Sequence, residues 1–337
     1  MQTSRVGIVG CGRLGRAFCA AVVGMKNTDL ALCADLDIKV AAICAHDFGT
    51  TASTSWETQP LDALVITSPI ESHAEAALAA IRAGIPTLLD PPIALGVAEA
   101  RRLVRLAHES NTTLHMAFPW RYNPLVALAH RIVPAPVFGH LYVTSSGNAI
   151  DPQSLGSATP NRALWQDPHH ALDLATYLFN DSPAEIIADG VASKNSLLEH
   201  PNSLAADLLF SDGRHFALTA TTTTLNNELG NVTLDITDGN TRVSLWSDWT
   251  RAEIRFINGH QQTLTSADGI TFRHDSDAII AYNDPSTQPL EQMVEALLGT
   301  EPQNHLSDPA DVEDGLRATM LTQAILSATT SGQRHVL

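Results

Sequence analysis

A glycine-rich turn near the start of the chain constrains the fold more than any other feature. The stretch "RVGIVGCGRLGRAFCAAVV" reads as an apolar strand, a turn carrying Gly10, Gly12 and Gly15, and a helix. In such a turn the first glycine permits the tight bend, the second lets backbone approach a pyrophosphate, and the third lets helix and strand pack closely. The sequence therefore predicts a dinucleotide-binding unit, with Arg13 and Leu14 inside its turn.

An acidic residue follows this turn at the required spacing. A second apolar run, Leu30 to Ala34, ends at Asp35, and an acid about 20 positions beyond the last glycine is where ribose hydroxyls are held. A carboxylate there repels a 2′-phosphate, and no arginine stands beside it. We therefore predict NAD as the cofactor and disfavour NADP. The alternative is that Asp35 only ends a strand or caps the next helix.

The remaining residues up to 124 alternate between strand and helix patterns. The segments are, in order, "LDALVITSP", "ESHAEAALAAIRAG", "IPTLLD", "VAEARRLVRLAHES" and "TTLHMAF". This alternation predicts an α/β Rossmann fold, a doubly wound parallel sheet that binds its ligand at the carboxyl ends of the strands. Ser68 and Asp90 come at two such ends.

The length of 337 residues predicts two domains. We place an NAD-binding domain at 1–124 and an α+β domain for substrate binding and oligomerisation at 125–337, whose last helix packs back on the first. Short β-branched and aromatic segments separated by turn pairs predict an open, mostly antiparallel sheet: "HLYVTSSGNA", "AADLLFSD", "HFALTATTTT", "NVTLDITD", "RVSLWS" and "AEIRFING". Two helices are predicted between Pro289 and Gly332, and a polar loop at 151–162.

Charge and targeting signals narrow the possible partners. The formal charge is −16, and residues 125–337 hold 10 basic against 25 acidic side chains. Such a surface repels phosphate backbones and anionic lipid heads, so we expect neither nucleic acid nor membrane as a partner. The sequence shows no leader and no long apolar run, which predicts a soluble, cytoplasmic protein. Its cysteines lack CxxC spacing and are predicted to be reduced core thiols: Cys11, Cys19, Cys33 and Cys44.

Five stretches in order resemble the motifs of the Gfo/Idh/MocA family of NAD(P)-dependent oxidoreductases. They are "GIVGCGRLG", "ITSPIESHAEAALAAIRAG", "TLLDPPIAL", "MAFPWRYNP" and "HHALDLATYLF". The resemblance implies a Rossmann domain followed by a sheet domain often used for subunit contacts, and hence a homodimer or homotetramer. It also implies hydride transfer to or from a small polar substrate such as a sugar, a polyol, or a related carbonyl or imine.

The third stretch departs from that family at a functional position. In the family, the lysine of a Glu-Lys-Pro motif commonly faces the nicotinamide as an acid/base or orienting group. Asp90 matches the glutamate and Pro92 the proline, but Pro91 replaces the lysine and supplies neither its donors nor its charge. We expect Asp90 and Pro91 to line the cofactor site, and Pro92 is a candidate for a cis peptide bond.

The family's Asp-x-x-x-His pair is also altered. His170 matches the histidine and is the predicted acid/base group, whereas Gln166 stands where the family has aspartate. Asp167 is an alternative carboxylate to orient the imidazole. His169 is a second histidine that could reach the pocket from another direction. The alternative for His170 is a structural histidine in a domain interface.

Further side chains complete the predicted site. Ser68, Pro69 and His73 are expected near the cofactor, although we favour a structural role for His73. Tyr122 is a candidate catalytic group, and Arg121, Trp165, His169 and Asp173 are candidates for substrate binding. Arg121 has the alternative of pairing with a carboxylate across the interdomain seam, and Trp165 that of packing at an interface. We predict no metal, because adjacent histidines seldom converge on one tetrahedral ion.

Three functions are compatible with these observations, and all include NAD binding. The first is an oxidoreductase with a lysine-free active site that relies on His170. The second is a catalytically inactive protein that uses bound NAD for sensing or assembly. The third is a lyase or hydrolase that recycles its NAD within one turnover. The replacement of lysine by Pro91 favours the second and third, and the intact glycine turn favours all three over a protein without dinucleotide.

Overall fold

The computed structural model describes residues 3–146, 162–191, 203–223, 231–246, 251–265, 289–300, 308–332 and 334–337. Side chains are described over the same ranges except at 145–146, 162–167, 191, 222–223 and 231. The chain forms two compact units. The first contains Met1–Tyr122 and Ser286–Met320, and the second contains Asn123–Pro285 and Leu321–Leu337.

The first unit is built on a six-stranded sheet in the order β3-β2-β1-β4-β5-β6. All of its strand pairs are parallel. The strands are β1 Ser4–Val9, β2 Thr28–Ala34, β3 Ala52–Ser53, β4 Ala63–Ile66, β5 Thr87–Leu89 and β6 Leu114–Met116. This order reverses beside β1, so the carboxyl ends of β1 and β4 border the crevice where doubly wound sheets bind their ligands.

Helices of the first unit cover both faces of this sheet. Along β4, Leu64 and Ile66 belong to one buried apolar cluster, whereas Ala63 and Val65 belong to another. Strand side chains alternate between faces, so the two clusters lie on opposite sides of the sheet. The helices are α1 Arg13–Gly24, α2 Ile38–Phe48, α3 His73–Ala83, α4 Val97–Ser110 and α7 Pro289–Leu298, with short 3-10 turns at Ile70–Ser72 and Pro119–Tyr122.

The second unit is built on a nine-stranded sheet in the order β14-β13-β12-β11-β7-β10-β9-β8-β15. β7 and β10 pair in parallel, and the other described pairs in this sheet are antiparallel. The strands are β7 Phe138–Ser146, β8 Glu185–Val191, β9 Ser203–Leu209, β10 His215–Thr223, β11 Asn231–Thr237, β12 Thr241–Trp246, β13 Arg251–Phe256, β14 Gln261–Thr265 and β15 His335–Val336. The predicted fold class, an α/β Rossmann unit plus a unit with a mostly antiparallel sheet, is confirmed.

Two helices of the second unit matter for the site. α5 spans Pro124–Ile132, and α6 spans Arg162–Phe179 with Pro168 inside it. The C-terminal end of α6 packs on the sheet, where Phe179 stacks on Phe210 with ring centroids 4.6 Å apart. Residues 151–161 of the predicted loop lie outside the described part of the chain.

Helix α8, Val312–Ser331, ends before Gly332, which has φ +65°. Together with α7 it confirms the two helices predicted between Pro289 and Gly332. Within the described residues, no helix combines the length and the hydrophobicity needed to span a membrane.

Candidate functional site

The glycine turn is fixed by close backbone contacts. Gly10 has φ +93°, and a Cβ on it would lie 2.5 Å from the Ser68 backbone nitrogen. A Cβ on Gly15 would lie 1.8 Å from the Gly10 oxygen, whereas one on Gly12 would meet nothing within 4 Å. Gly10 and Gly15 therefore allow the turn to form, and Gly12 leaves open space at the N-terminus of α1.

This open N-terminus suits the pyrophosphate of a dinucleotide. Gly12 is the N-cap residue of α1 and makes no side-chain cap, so the first amides of the helix can face an anion. Arg13 is exposed and Leu14 partly buried at the same end. The predicted cofactor residues Gly10, Gly12, Arg13, Leu14 and Gly15 thus form one turn.

Asp35 is held beside the turn by two backbone donors. Its Oδ2 accepts a hydrogen bond from the Cys11 amide at 2.9 Å, and its Oδ1 accepts one from the Asp37 amide at 3.0 Å. The Gly10 amide donates to the Ala34 oxygen at 2.8 Å, which joins the end of β2 to the turn. The carboxylate therefore has a fixed position at the place where a ribose diol is bound in this kind of unit.

His73 connects the end of β4 to the Asp-Pro-Pro segment. Its ring is fully buried, with Nε2 2.7 Å from the Ser68 oxygen and Nδ1 2.9 Å from the Pro92 oxygen. Ser68 Oγ lies 2.7 Å from Ser72 Oγ, which in turn donates to the Pro69 oxygen. These contacts agree with the structural role that we favour for His73.

The Asp-Pro-Pro segment lies at the carboxyl end of β5. Asp90 is only 7% exposed, and its amide donates to the Ile66 oxygen at 2.9 Å. The Pro91–Pro92 peptide bond is cis, as the sequence suggested. Both prolines are buried. The segment brings a buried carboxyl group, and no lysine, to the edge of the sheet where Ser68 also lies.

Arg121 makes a buried ion pair in the first unit. Its Nη2 lies 3.1 Å from Asp314 Oδ2, and the two side chains are 5% and 14% exposed. Asp314 also pairs with Arg317 at 2.6 Å. Tyr122 is 4% exposed and belongs to the apolar cluster that includes Ala117 and Leu297. Arg121 thus pairs with a carboxylate, as the alternative proposed, but Asp314 belongs to the same unit and does not lie across a seam between domains.

Helix α6 of the second unit carries the histidines. His169 and Asp173 are each 1% exposed, and His170 is partly buried. Burial lowers the pKa of His170 to about 4, so the imidazole is neutral at neutral pH. Tyr177 stacks on His130 with centroids 4.6 Å apart. His169 lies within the helix, not before it. The side chains of Trp165, Gln166 and Asp167 lie outside the described part.

The structure thus groups the predicted residues in two sets. The first unit brings together the residues predicted to bind the cofactor, and it also contains Arg121 and Tyr122. The second unit contains His169, His170 and Asp173. Sequence reasoning missed Thr67, whose hydroxyl donates to the Gly10 oxygen at 2.8 Å and closes the glycine turn. Its position, next to Ser68 at the end of an apolar strand, was the available signal.

Comparison with known proteins defines the class of the first unit. Residues 4–118 match the profile of the Gfo/Idh/MocA family, described as an oxidoreductase family with an NAD-binding Rossmann fold. The glycine turn and Asp35 fall within this range, so the prediction of an NAD-binding unit is confirmed. The resemblance to this family read from the sequence motifs is thus confirmed over residues 4–118, which are about a third of the chain.

Individual relatives share only about a quarter of their residues with this chain over the aligned segments. The chain is 24% identical over 192 residues to an inositol 2-dehydrogenase of Rhizobium meliloti, covering 56% of this chain and 58% of the relative. It is 26% identical over 208 residues to a levoglucosan dehydrogenase of Pseudarthrobacter phenanthrenivorans, covering 55% of this chain and 53% of the relative. The matched segment thus spans little more than half the length of these relatives.

Likeness in fold extends over the whole chain. A solved structure of levoglucosan dehydrogenase in complex with NADH and L-sorbose superposes with a TM-score of 0.83 at 18% identity, covering 100% of this chain and 99% of the other. At this identity the likeness shows the fold of both units and nothing finer.

Proposed function

We propose that this protein is an NAD-dependent oxidoreductase that transfers hydride between the cofactor and a hydroxyl-bearing small molecule, a polyol or a sugar. The observation that carries the proposal is the intact dinucleotide-binding turn, with Asp35 fixed by the Cys11 and Asp37 amides. Inositol and levoglucosan, named for the two relatives, are both polyhydroxylated, which supports the substrate class.

The residues of the first unit fit NAD. The α1 N-terminus at Gly12 would hold the pyrophosphate, Asp35 the ribose hydroxyls, and the segment from Ser68 to Pro69 with Asp90 and Pro91 the nicotinamide end. When bound, NAD supplies the hydride acceptor for alcohol oxidation. Asp35 disfavours the 2′-phosphate of NADP because two negative charges would be brought together.

His170 is proposed to take the hydroxyl proton. Oxidation of an alcohol requires a group that accepts the hydroxyl proton, and the lowered pKa of His170 keeps its imidazole in the neutral form at physiological pH. With this pKa the imidazole is a weak base that holds the proton only briefly, and the proton then passes to water or to a carboxylate. Asp167 is proposed to orient His170, and Tyr122 is proposed as a further catalytic group. The residues proposed to bind the substrate are Arg121, Trp165, His169 and Asp173.

A turnover assay tests this proposal. The full-length protein is mixed with NAD and myo-inositol, levoglucosan or L-sorbitol, and nicotinamide absorbance is followed; NADH is tested with the matching ketoses and with cyclic imines. We expect reduction of NAD with at least one polyol. Tight NAD binding with no turnover on any substrate would overturn the proposal in favour of the inactive sensor or assembly protein, which the Pro91 substitution favours. Product formation without net NADH would favour the lyase or hydrolase.

Cofactor choice is tested at Asp35. Asp35→Asn should weaken NAD binding by about tenfold or more, because a charged acceptor contributes about 1.5–3 kcal/mol to such hydrogen bonds. The same substitution should reduce the ratio of the affinity for NAD to the affinity for NADP. Asp37→Asn is the matched control, since Asp37 caps α2 by accepting from the Lys39 amide and is not proposed to touch NAD. Equal losses in both variants would contradict the assignment.

Assembly through the second sheet is also proposed. Phe138 and Ile187 lie on strands of that sheet and are 40% and 38% exposed, and apolar side chains left on a sheet are candidates for subunit contacts. Light scattering of the wild type should give the mass of a dimer or tetramer. Phe138→Asp should shift it toward the monomer, whereas Leu36→Asp, at an 86% exposed site of the first unit, should not. A monomeric wild type would refute this assembly.

A further inference from the structure

All four cysteines of the chain meet in the core of the first unit. They come from four separate places: Cys11 from the glycine turn, Cys19 from α1, Cys33 from β2 and Cys44 from α2. Cys19, Cys33 and Cys44 are each 0% exposed, and Cys11 is 3% exposed. A chain of 337 residues thus gathers its whole complement of thiols in one buried cluster, which lies beside the dinucleotide turn.

Three of the sulfurs form a nearly equilateral triangle. The Sγ atoms of Cys19 and Cys33 are 3.6 Å apart, those of Cys19 and Cys44 are 3.7 Å apart, and those of Cys33 and Cys44 are 3.6 Å apart. Tetrahedral Zn–S bonds of about 2.3 Å place sulfurs about 3.8 Å from one another. The triangle therefore has nearly the dimensions of one face of a tetrahedral thiolate site.

Cys11 is the candidate for the fourth ligand. Its Sγ is within 4.8 Å of those of Cys33 and Cys44. At present its thiol donates to the Ala34 oxygen at 3.5 Å, a long and weak contact. Ligation of a cation by this thiolate would replace that contact.

We propose that Cys19, Cys33 and Cys44, completed by Cys11, form a binding site for a thiophilic d10 cation of the zinc and cadmium class. Thiolate ligands select such soft and borderline cations over magnesium or calcium. With a divalent cation the three-thiolate cluster carries a net charge of −1 and the four-thiolate cluster −2, instead of −3 or −4 for the thiolates alone. This makes the cluster far less costly to bury than separate thiolates.

Binding must release protons from the thiols. Each thiol that ligates the cation gives its proton to solvent and forms one M–S bond, with no change in oxidation state. Uptake should therefore be tighter at higher pH and should release about three to four protons per ion.

The test uses the full-length protein, reduced with a phosphine and freed of metal by a chelator. We expect Cd²⁺ to bind at one ion per chain, to survive gel filtration, to give an ultraviolet thiolate-to-cadmium charge-transfer band, and to show three to four sulfur neighbours and no oxygen by X-ray absorption. A wild-type protein that retains no cadmium, or that holds it through oxygen or nitrogen, would overturn the proposal.

Alanine variants separate the triangle from the fourth ligand. Cys33→Ala should lower bound cadmium to about a tenth or less of the wild-type amount, whereas Cys11→Ala should retain one ion with three sulfur neighbours. Equal retention in both variants would refute the site. If Cys33→Ala does not fold, the sulfur count in the wild type decides. If the denatured, unreduced wild type shows fewer than four reactive thiols, the cluster holds a disulfide, and the metal proposal fails.

Discussion

The two units position their candidate functional groups in different ways. In the first unit the cofactor elements are set by main-chain geometry: the left-handed Gly10, its contact with Ser68, and the amides that hold Asp35. In the second unit the candidate groups are set by side-chain burial on one helix, where His169 and Asp173 are almost fully covered. Backbone constraints of the first kind depend on short sequence motifs, whereas burial depends on residues that are far apart in the sequence. The first kind of site is therefore easier to recognise in a sequence.

The largest effect should come from breaking the main-chain geometry. Gly10→Ala places a Cβ 2.5 Å from the Ser68 nitrogen at φ +93°, which should cost about 4 kcal/mol of unfolding free energy and abolish measurable NAD binding. Gly96→Ala is the control, since nothing lies within 4 Å of its Cβ. Denaturant unfolding and NAD titration calorimetry measure both effects. Retained NAD binding in Gly10→Ala would contradict the backbone account.

A substitution at Arg121 tests whether the stability of the first unit also depends on a buried ion pair. Arg121→Met leaves Asp314 with Arg317 as its remaining cation, so the unfolding free energy should fall by about 3 kcal/mol, the low end for breaking a buried pair. Arg105→Met removes a pair whose side chains are 66% and 62% exposed and should cost about 0.5 kcal/mol or less. Similar losses in the two variants would show that the buried pair contributes no more than a surface one.

The pH dependence of the free energy of unfolding tests whether His170 is buried on α6. The pKa of His170 is about 4 in the folded protein and 6.5 in an unfolded chain. The unfolded chain therefore binds an extra proton between these values, and stability is lost as pH falls through this window. Lowering the pH from 7.5 to 5 should cost about 2 kcal/mol through this group. His170→Gln should remove that part of the loss in urea unfolding curves. His260→Gln, at an exposed turn, should retain it; identical curves for all three proteins would contradict the assigned burial.

The smallest effect concerns the hydroxyl that closes the turn. Thr67→Val removes the hydrogen bond to the Gly10 oxygen and should cost about 1 kcal/mol of unfolding free energy. Thr28→Val removes a bond of the same length, to the Val22 oxygen, away from the turn. Both should lose similar stability in denaturant titrations, but only Thr67→Val should weaken NAD binding, by about threefold to tenfold. Equal NAD affinities would show that Thr67 has no part in holding the turn.

The sequence predicted most of the first unit because its signals are local. Glycine spacing, the acid after β2, and helices that end at Gly84 and Gly299 can all be read within a few residues, and both glycines have positive φ. Asp314 could not be paired with Arg121 in advance, because nearly 200 residues separate them. Contacts of that kind are decided by tertiary packing.

Some strands of the second unit were missed for a related reason. β15 consists of His335–Val336 and exists as a strand because it pairs with β8. β8 itself has Ile186 fully buried beside Ile187 at 38% exposure, an alternation that is short and contains no turn pair. The start of α6 was also missed, because Pro168 argues for a helix boundary, while the helix continues through it from Arg162.

The pairing of β7 has a consequence for the order in which the chain can fold during synthesis. β7 lies between β10 and β11, with Phe138 opposite His215 on one side and opposite Thr237 on the other. A ribosome must therefore make some hundred residues more before the centre of this sheet has both neighbours. β7 has two open edges until β10 has been made and one until β11 follows, and open strand edges of this kind are prone to wrong pairing during synthesis.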